Sequence, residues 1–297
     1  MTPRAKREAL IGFLLILPWV IGFLAFTAGP MLISLFLSLT RWDVLTPPIF
    51  VGLSNFQRLA QDPLFWKSLY NTMIYTILNV PLSLAGSLSL ALILNRRVRG
   101  VSIFRTLFYL PELTPLVATS LIWAWVLNTH FGILNYLLSR LDLPPVPWLE
   151  STTWALPSIV LMSLWTVGGS RMLIFLAGLQ GVPEELNEAA ALDGASSWAR
   201  LWHVILPMLS PVIFFNLVLG VILSFQVFTP AYIVTNGGPA DSTLVYGLYL
   251  YRNAFQYFQM GYASSMAWMM LLLLLAFTWL QFRLLQRWVY YAGEVRA

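Results

Sequence analysis

Apolar length is the feature that most constrains this chain. Six stretches, at about 10–39, 70–94, 107–128, 156–179, 207–231 and 263–284, are each near the length that crosses a bilayer, ~20 residues as a helix. Of the 297 residues, 59% are hydrophobic and only 10% are charged, against about 25% charged in a soluble domain. In lipid every backbone N–H and C=O must be satisfied within the segment, so apolar stretches of this length become helices. The expected fold class is all-α: one polytopic membrane domain over 1–297, with six transmembrane helices. There is no cysteine, which excludes disulfides and thiol chemistry.

The first stretch follows Arg4, Lys6 and Arg7, as a signal peptide does, but it is far too long for one. Pro18 and Gly29-Pro30 are expected to perturb it. Leu53 to Ala60 reads as a short interfacial helix. Thr72, Thr76, Asn79, Ser83, Gly86 and Ser87 share one face of the second span, a pattern that lets helices pack closely in lipid. Gly168-Gly169-Ser170-Arg171 interrupts the fourth span. Residues 129–155 and 232–262 read as loops.

Six spans put both termini on one side. Twelve cations fall on the face shared by the termini, the 95–106 turn and the loop at 182–206, against five on the other. Positive charge favours the cytoplasmic side. The expected location is therefore a prokaryotic cytoplasmic (inner) membrane, multi-pass, with both termini cytoplasmic.

The 182–206 loop is the most acidic part of the chain, with Glu184, Glu185, Glu188 and Asp193. Its chemistry is that of two helices around a turn. Pro183 suits a first helical position, and acids in the first turn complement the helix dipole. Ala189, Ala190 and Ala191 favour helix, Gly194 suits a left-handed end, and Ser196 suits the cap of a second helix. Trp198, Leu201, Trp202 and Ile205 then recur at helical spacing. A short helix with an acidic rim and a small-residue face suits docking into a basic cleft.

Within this loop, Glu188-Ala189-Ala190, three residues, Gly194, nine residues, then Val204-Ile205-Leu206-Pro207 resembles the EAA motif of ABC-importer permeases. Val204 stands where isoleucine is usual. Further similarity lies in Val51-Gly52-Leu53-Ser54-Asn55-Phe56, Asn71-Thr72, Phe104-Arg105, Gly132-Ile133-Leu134-Asn135 and Thr235 to Pro239. The chain is thus similar to the carbohydrate-type permeases of maltose and glycerol-phosphate systems, without the extra N-terminal spans and external domain of some members. The resemblance implies that Glu184, Glu185, Glu188, Ala189, Ala190, Asp193 and Gly194 form a coupling helix on a cytoplasmic ABC ATPase, itself a homodimer. It also implies a second homologous permease, an extracytoplasmic solute-binding protein and a sugar substrate.

Chemistry of other kinds is poorly supplied. No phosphate-cradling G-x-x-x-x-G-K-[ST] occurs, so ATP hydrolysis is expected in a partner. His130 and His203 fall on opposite sides, which excludes a shared metal site or dyad. No cofactor, catalytic residue or nucleic-acid surface is expected. A secondary transporter would need internal repeats and several intramembrane ionisable groups, and only Glu112 and Arg171 are present. These two are expected to pair, because an unpaired charge at membrane depth is costly. For the solute path the candidates are Trp123, Asn128, Trp165, Asn216, Ser224 and Gln226: amides pair with hydroxyls, and flat rings cover sugar faces. The scarcity of intramembrane cations favours an uncharged substrate.

Overall fold

The computed structural model describes residues 3–96, 99–285 and 288–290, and most of it is helical. Arg97, Arg287 and Arg296, three of the cations counted above, lie outside the described residues.

The first span is α1 (Pro3–Phe23) and α2 (Gly29–Ser38), joined by a π turn over Leu24–Ala28. Pro18 is absorbed within α1, whereas Pro30 follows the widened turn. A proline ring clashes with the carbonyl one turn earlier, and a π turn relieves that crowding. Strands β1 (Thr40–Arg41) and β2 (Ile49–Phe50) form one antiparallel pair, with Thr40 opposite Phe50. The interfacial helix is α3 (Ser54–Gln61).

Next, α4 (Pro63–Leu94) starts about two turns before the apolar stretch, with Phe65 and Ser68 of those first turns buried. The third span is two helices, α5 (Val101–Leu113) and α6 (Leu116–Val126), bent by 93°. Thr114 is extended because it precedes Pro115, which disfavours the helical conformation there. A short α7 (Ile133–Ser139) occupies part of the expected 129–155 loop. The fourth span is α8 (Ala155–Ser163) with a 3-10 turn, then α9 (Ser170–Gln180), bent by 51° at the predicted glycine interruption.

The acidic loop holds α10 (Glu184–Leu192) and α11 (Ser197–Arg200), followed by a π turn and α12 (Leu206–Met208). Then come α13 (Ser210–Phe225), α14 (Tyr246–Tyr251) and α15 (Met260–Leu285). Three helices are long and apolar enough to cross a membrane, and the three bent pairs bring the number to 6.

The chain divides into two compact units, one drawn from Met1–Asp62 and Leu250–Leu272, the other from Pro63–Tyr249 and Leu273–Ala297. In the first, Asn55 Nδ2 donates to the carbonyls of Ser38 and Thr40, both at 2.8 Å, and ties α3 to the end of α2. Gly261 lies so close to Thr40 that a Cβ would meet its carbonyl. Arg58 stacks over the Tyr262 ring at 4.2 Å.

In the second unit, Ala91 and Leu94 of α4 pack with Met172, Phe175, Leu176 and Leu179 of α9 and with Leu209. The small polar face of α4 is buried at Thr72, Thr76, Asn79, Ser83 and Ser87. Ser87 Oγ donates to the Val167 carbonyl at 2.7 Å, and Thr72 Oγ1 accepts from the Tyr246 N–H at 2.8 Å. At Thr72 and Ser87 the face therefore serves packing, as the spacing of small residues predicts.

Candidate functional site: a polar cavity and an acidic helix

A cavity of about 470 Å³ opens within the second unit, walled by α4, α6, α8, α9, α13 and the segment 226–230. Its polar lining comes from sequence features that are unremarkable one at a time. Asn79 and Ser83 are one turn apart on α4, and the Ser83 hydroxyl donates to Asn79 Oδ1 at 3.1 Å. Asn79 Nδ2 in turn donates to Ser224 Oγ of α13 at 3.1 Å. Tyr75 OH and Ser163 Oγ share a hydrogen bond of 2.7 Å across α4 and α8. Asn216 lines the wall one turn from the Val212 carbonyl to which it donates at 3.0 Å.

Of the six expected path residues, Asn216, Ser224 and Gln226 line this cavity, and Trp123, Asn128 and Trp165 do not. Trp123 and Trp165 meet edge to face, with ring centroids 6.1 Å apart. Asn128 Oδ1 accepts from the N–H groups of His130 and Phe131, closing the turn after α6. Its amide is occupied by the backbone, a common use of asparagine in turns. Tyr75, Asn79, Ser163, Glu112 and Arg171 are among the other polar residues of the lining. Of these, Asn79 carried a sequence signal through the small polar face of α4, and Glu112 and Arg171 carried one as intramembrane charges.

Glu112 and Arg171 do not form the expected ion pair. Both line the cavity, but they interact only across space. The reason is local. The Ser170 hydroxyl donates to Glu112 Oε1 at 3.3 Å, and Gly169 makes room for the carboxylate, since a Cβ there would fall 2.3 Å from Oε2. Glu112 thus sits at the N-terminus of α9, where the helix dipole favours negative charge. Arg171 lies instead against Gly220 of α13, where a Cβ would approach its Nη2 to 3.6 Å.

The acidic helix is built much as its chemistry dictates. Pro183 occupies the cap position, one residue before the first helical position expected for it. Glu184 and Glu185 fill the first turn. Gly194 takes φ +80°, and its N–H reaches the Ala191 carbonyl at 3.1 Å, while Ala195 N–H reaches that of Ala190 at 2.9 Å. Ser196 Oγ caps α11 by accepting from Ala199 N–H at 3.2 Å. No residue of α10 is buried. Leu192 is 89% exposed and Trp198 67%, so the acidic rim borders an uncovered apolar patch. The seven expected coupling residues are all in or beside α10, and all but the half-buried Ala190 are exposed. The loop is bracketed by α9 and α13, and both of these helices line the cavity.

The chain is similar to known proteins. The chain is 44% identical to the probable ABC transporter permease protein YesP of Bacillus subtilis, over 97% of this chain and 94% of that protein. It is 35% identical to the trehalose/maltose transport system permease protein MalF of Thermococcus litoralis, over 94% of this chain and 95% of that one. The fold matches a crystal structure of a bacterial alginate ABC transporter, with a TM-score of 0.82, 23% identity and 95% of this chain covered. Residues 83–290 match the model of the binding-protein-dependent transport system inner membrane component. The chain belongs to that family, the membrane-embedded permeases of ABC transporters.

Proposed function

We propose that this chain is one permease subunit of an ATP-driven importer that carries a sugar or oligosaccharide across the inner membrane. One observation carries the reading. The exposed acidic helix α10 is flanked in the chain by the two helices, α9 and α13, that supply opposite parts of the cavity wall. A force on α10 is passed along α9, whose 11 residues span about 16 Å at 1.5 Å per residue, to Ser170 and Arg171. Hinges stand ready at the 51° and 68° bends beside these helices.

The cytoplasmic ABC ATPase is the natural source of that force, acting as a dimer on this chain and on a second, homologous permease. Glu184, Glu185, Glu188, Ala189, Ala190, Asp193 and Gly194 make the contact, the acids against a basic cleft and the alanines by close approach. An extracytoplasmic binding protein delivers the solute. The distribution of cations supports cytoplasmic termini. Asn79, Asn216, Ser224 and Gln226 offer the amide and hydroxyl groups that sugar hydroxyls pair with. The trehalose/maltose relative supports a saccharide substrate.

The test is uptake of labelled saccharides by membrane vesicles that contain this chain and its partner subunits. Uptake should require ATP and the binding protein. Uptake driven by an ion gradient without ATP would overturn the reading in favour of secondary transport.

A further inference from the structure

We infer that Arg171 selects a carboxylate, and that the preferred substrates are acidic saccharides containing a uronic acid. The inference rests on the sugar-import reading and narrows its substrate class. It departs from the expectation of an uncharged substrate.

Arg171 is the only cation among the cavity's lining residues, and Glu112 is the only carboxylate. Within the bundle an arginine is costly unless it is compensated. The two groups that interact with it electrostatically are both committed elsewhere. Glu112 is held by Ser170 and the start of α9, and the Tyr75 hydroxyl is bonded to Ser163. Among the described residues no hydrogen bond or direct ion pair engages the guanidinium. Gly220 keeps the wall of α13 low beside it: a Cβ there would come into van der Waals contact with Nη2 at 3.6 Å.

A guanidinium carries five donors in a planar fork that fits a carboxylate through two parallel bonds. The neighbouring Asn79, Ser83 and Asn216 suit neutral hydroxyls. A sugar ring with one carboxylate satisfies both sets, and a neutral sugar leaves the fork unanswered. Were Arg171 only a strut that meets Glu112 in another state, its loss would weaken all sugars alike.

The experiment measures binding by calorimetry to the intact assembly of this chain with its ATPase and second permease. The binding protein is left out, so that its own preference does not intrude. The probes are digalacturonate and the neutral digalactoside of the same linkage. Digalacturonate should bind at least about tenfold more tightly, since charge-assisted bonds are the strong ones. Arg171→Gln should abolish that preference, with a larger loss for digalacturonate than for the neutral digalactoside, while Arg171→Lys keeps the charge without the fork and should retain part of it. Neutral sugar bound with no acidic preference in the unaltered chain would overturn the role of Arg171 and leave the sugar reading standing. Equal loss of both probes in Arg171→Gln would likewise overturn it. Binding of neither probe by the unaltered assembly would overturn the role of Arg171, while the sugar reading is decided by the uptake test with the binding protein present.

Discussion

Asn79 of α4 donates to Ser224 of α13 at 3.1 Å, across 145 residues of sequence and at the wall of the cavity. Such bonds between membrane helices are worth about 0.6 kcal/mol on average and up to about 1.7. Ser224→Ala removes the acceptor of Asn79 Nδ2, while Asn79 Oδ1 keeps the Ser83 hydroxyl as its donor. We expect a folded protein with a small loss of thermal stability and a larger loss of transport. Asn79→Leu removes the hub of the chain of bonds and leaves Ser83 and Ser224 without it, so it should reduce uptake more severely than Ser224→Ala. Equal uptake by both variants and the parent would remove this network from the path.

The close approach of α5 to the 3-10 turn before α9 gives a second prediction. At Gly168 a Cβ would fall 2.3 Å from the Phe108 carbonyl oxygen, and backbone does not yield as a side-chain end does. Overpacking of this kind costs about 1–3 kcal/mol. Gly168→Ala should therefore lower the thermal midpoint in detergent by several degrees. Gly12→Ala, at a site with nothing within 4 Å, should leave it unchanged or raise it slightly, because alanine favours helix. Equal midpoints for the two variants would refute the contact.

How much of this was legible beforehand depends on what a hydropathy stretch records. Length and turn chemistry survive in sequence, so α2, α15, the break at Gly168-Gly169 and the helix–turn–helix around Gly194 were readable within a few residues. Direction does not survive. The 93° bend before Pro115 leaves composition unchanged, so the third span read as one helix. Short helices inside loops, α7 and α14, are too brief to show a period. The Glu112–Arg171 pair failed for a related reason. Depth alone suggested a partner, whereas Gly169 and Ser170 had already created a better place for the carboxylate. Trp123, Asn128 and Trp165 were chosen by residue type, and type does not say which face of a broken helix a side chain occupies.

A pH effect is expected at Asp43, in the segment between the first two spans. Its Oδ1 accepts from the Thr46 hydroxyl at 2.6 Å and from the Thr46 N–H at 2.8 Å. These bonds, the hydroxyl first, hold its carboxyl below the ordinary 3.8. A depressed acid contributes stability above its unfolded value, and loses it as pH falls through the lower folded value. The turn should therefore keep its form at neutral pH and loosen only in strong acid. Thr46→Val removes the larger cause and should move the titration of Asp43 back toward 3.8, as followed by carboxyl carbon NMR in selectively labelled protein. An unchanged titration would show that the hydroxyl does not set it.

The acidic loop supports the strongest separation of assembly from insertion. Gly194 sits at φ +80°, where a side chain is strained whatever the space around it. Its turn fixes the angle between α10 and α11, through the bonds from Gly194 and Ala195 to the carbonyls of Ala191 and Ala190. Gly194→Pro or Gly194→Val should leave membrane insertion intact, since the loop contributes no buried residue in α10. Either change should uncouple ATP hydrolysis from uptake by re-aiming the docking helix. Glu188→Lys places a cation on the acidic rim and should weaken co-purification of the ATPase, because like charges then meet across the contact. Ala189 and Ala190 should accept serine but not leucine, whose bulk holds the partner away. The measurements are ATPase co-purification and sugar uptake in vesicles, made on the same membranes. If Glu188→Lys and Gly194→Pro both keep full uptake and full co-purification, α10 is not the coupling element, and the force path along α9 to the cavity has no origin.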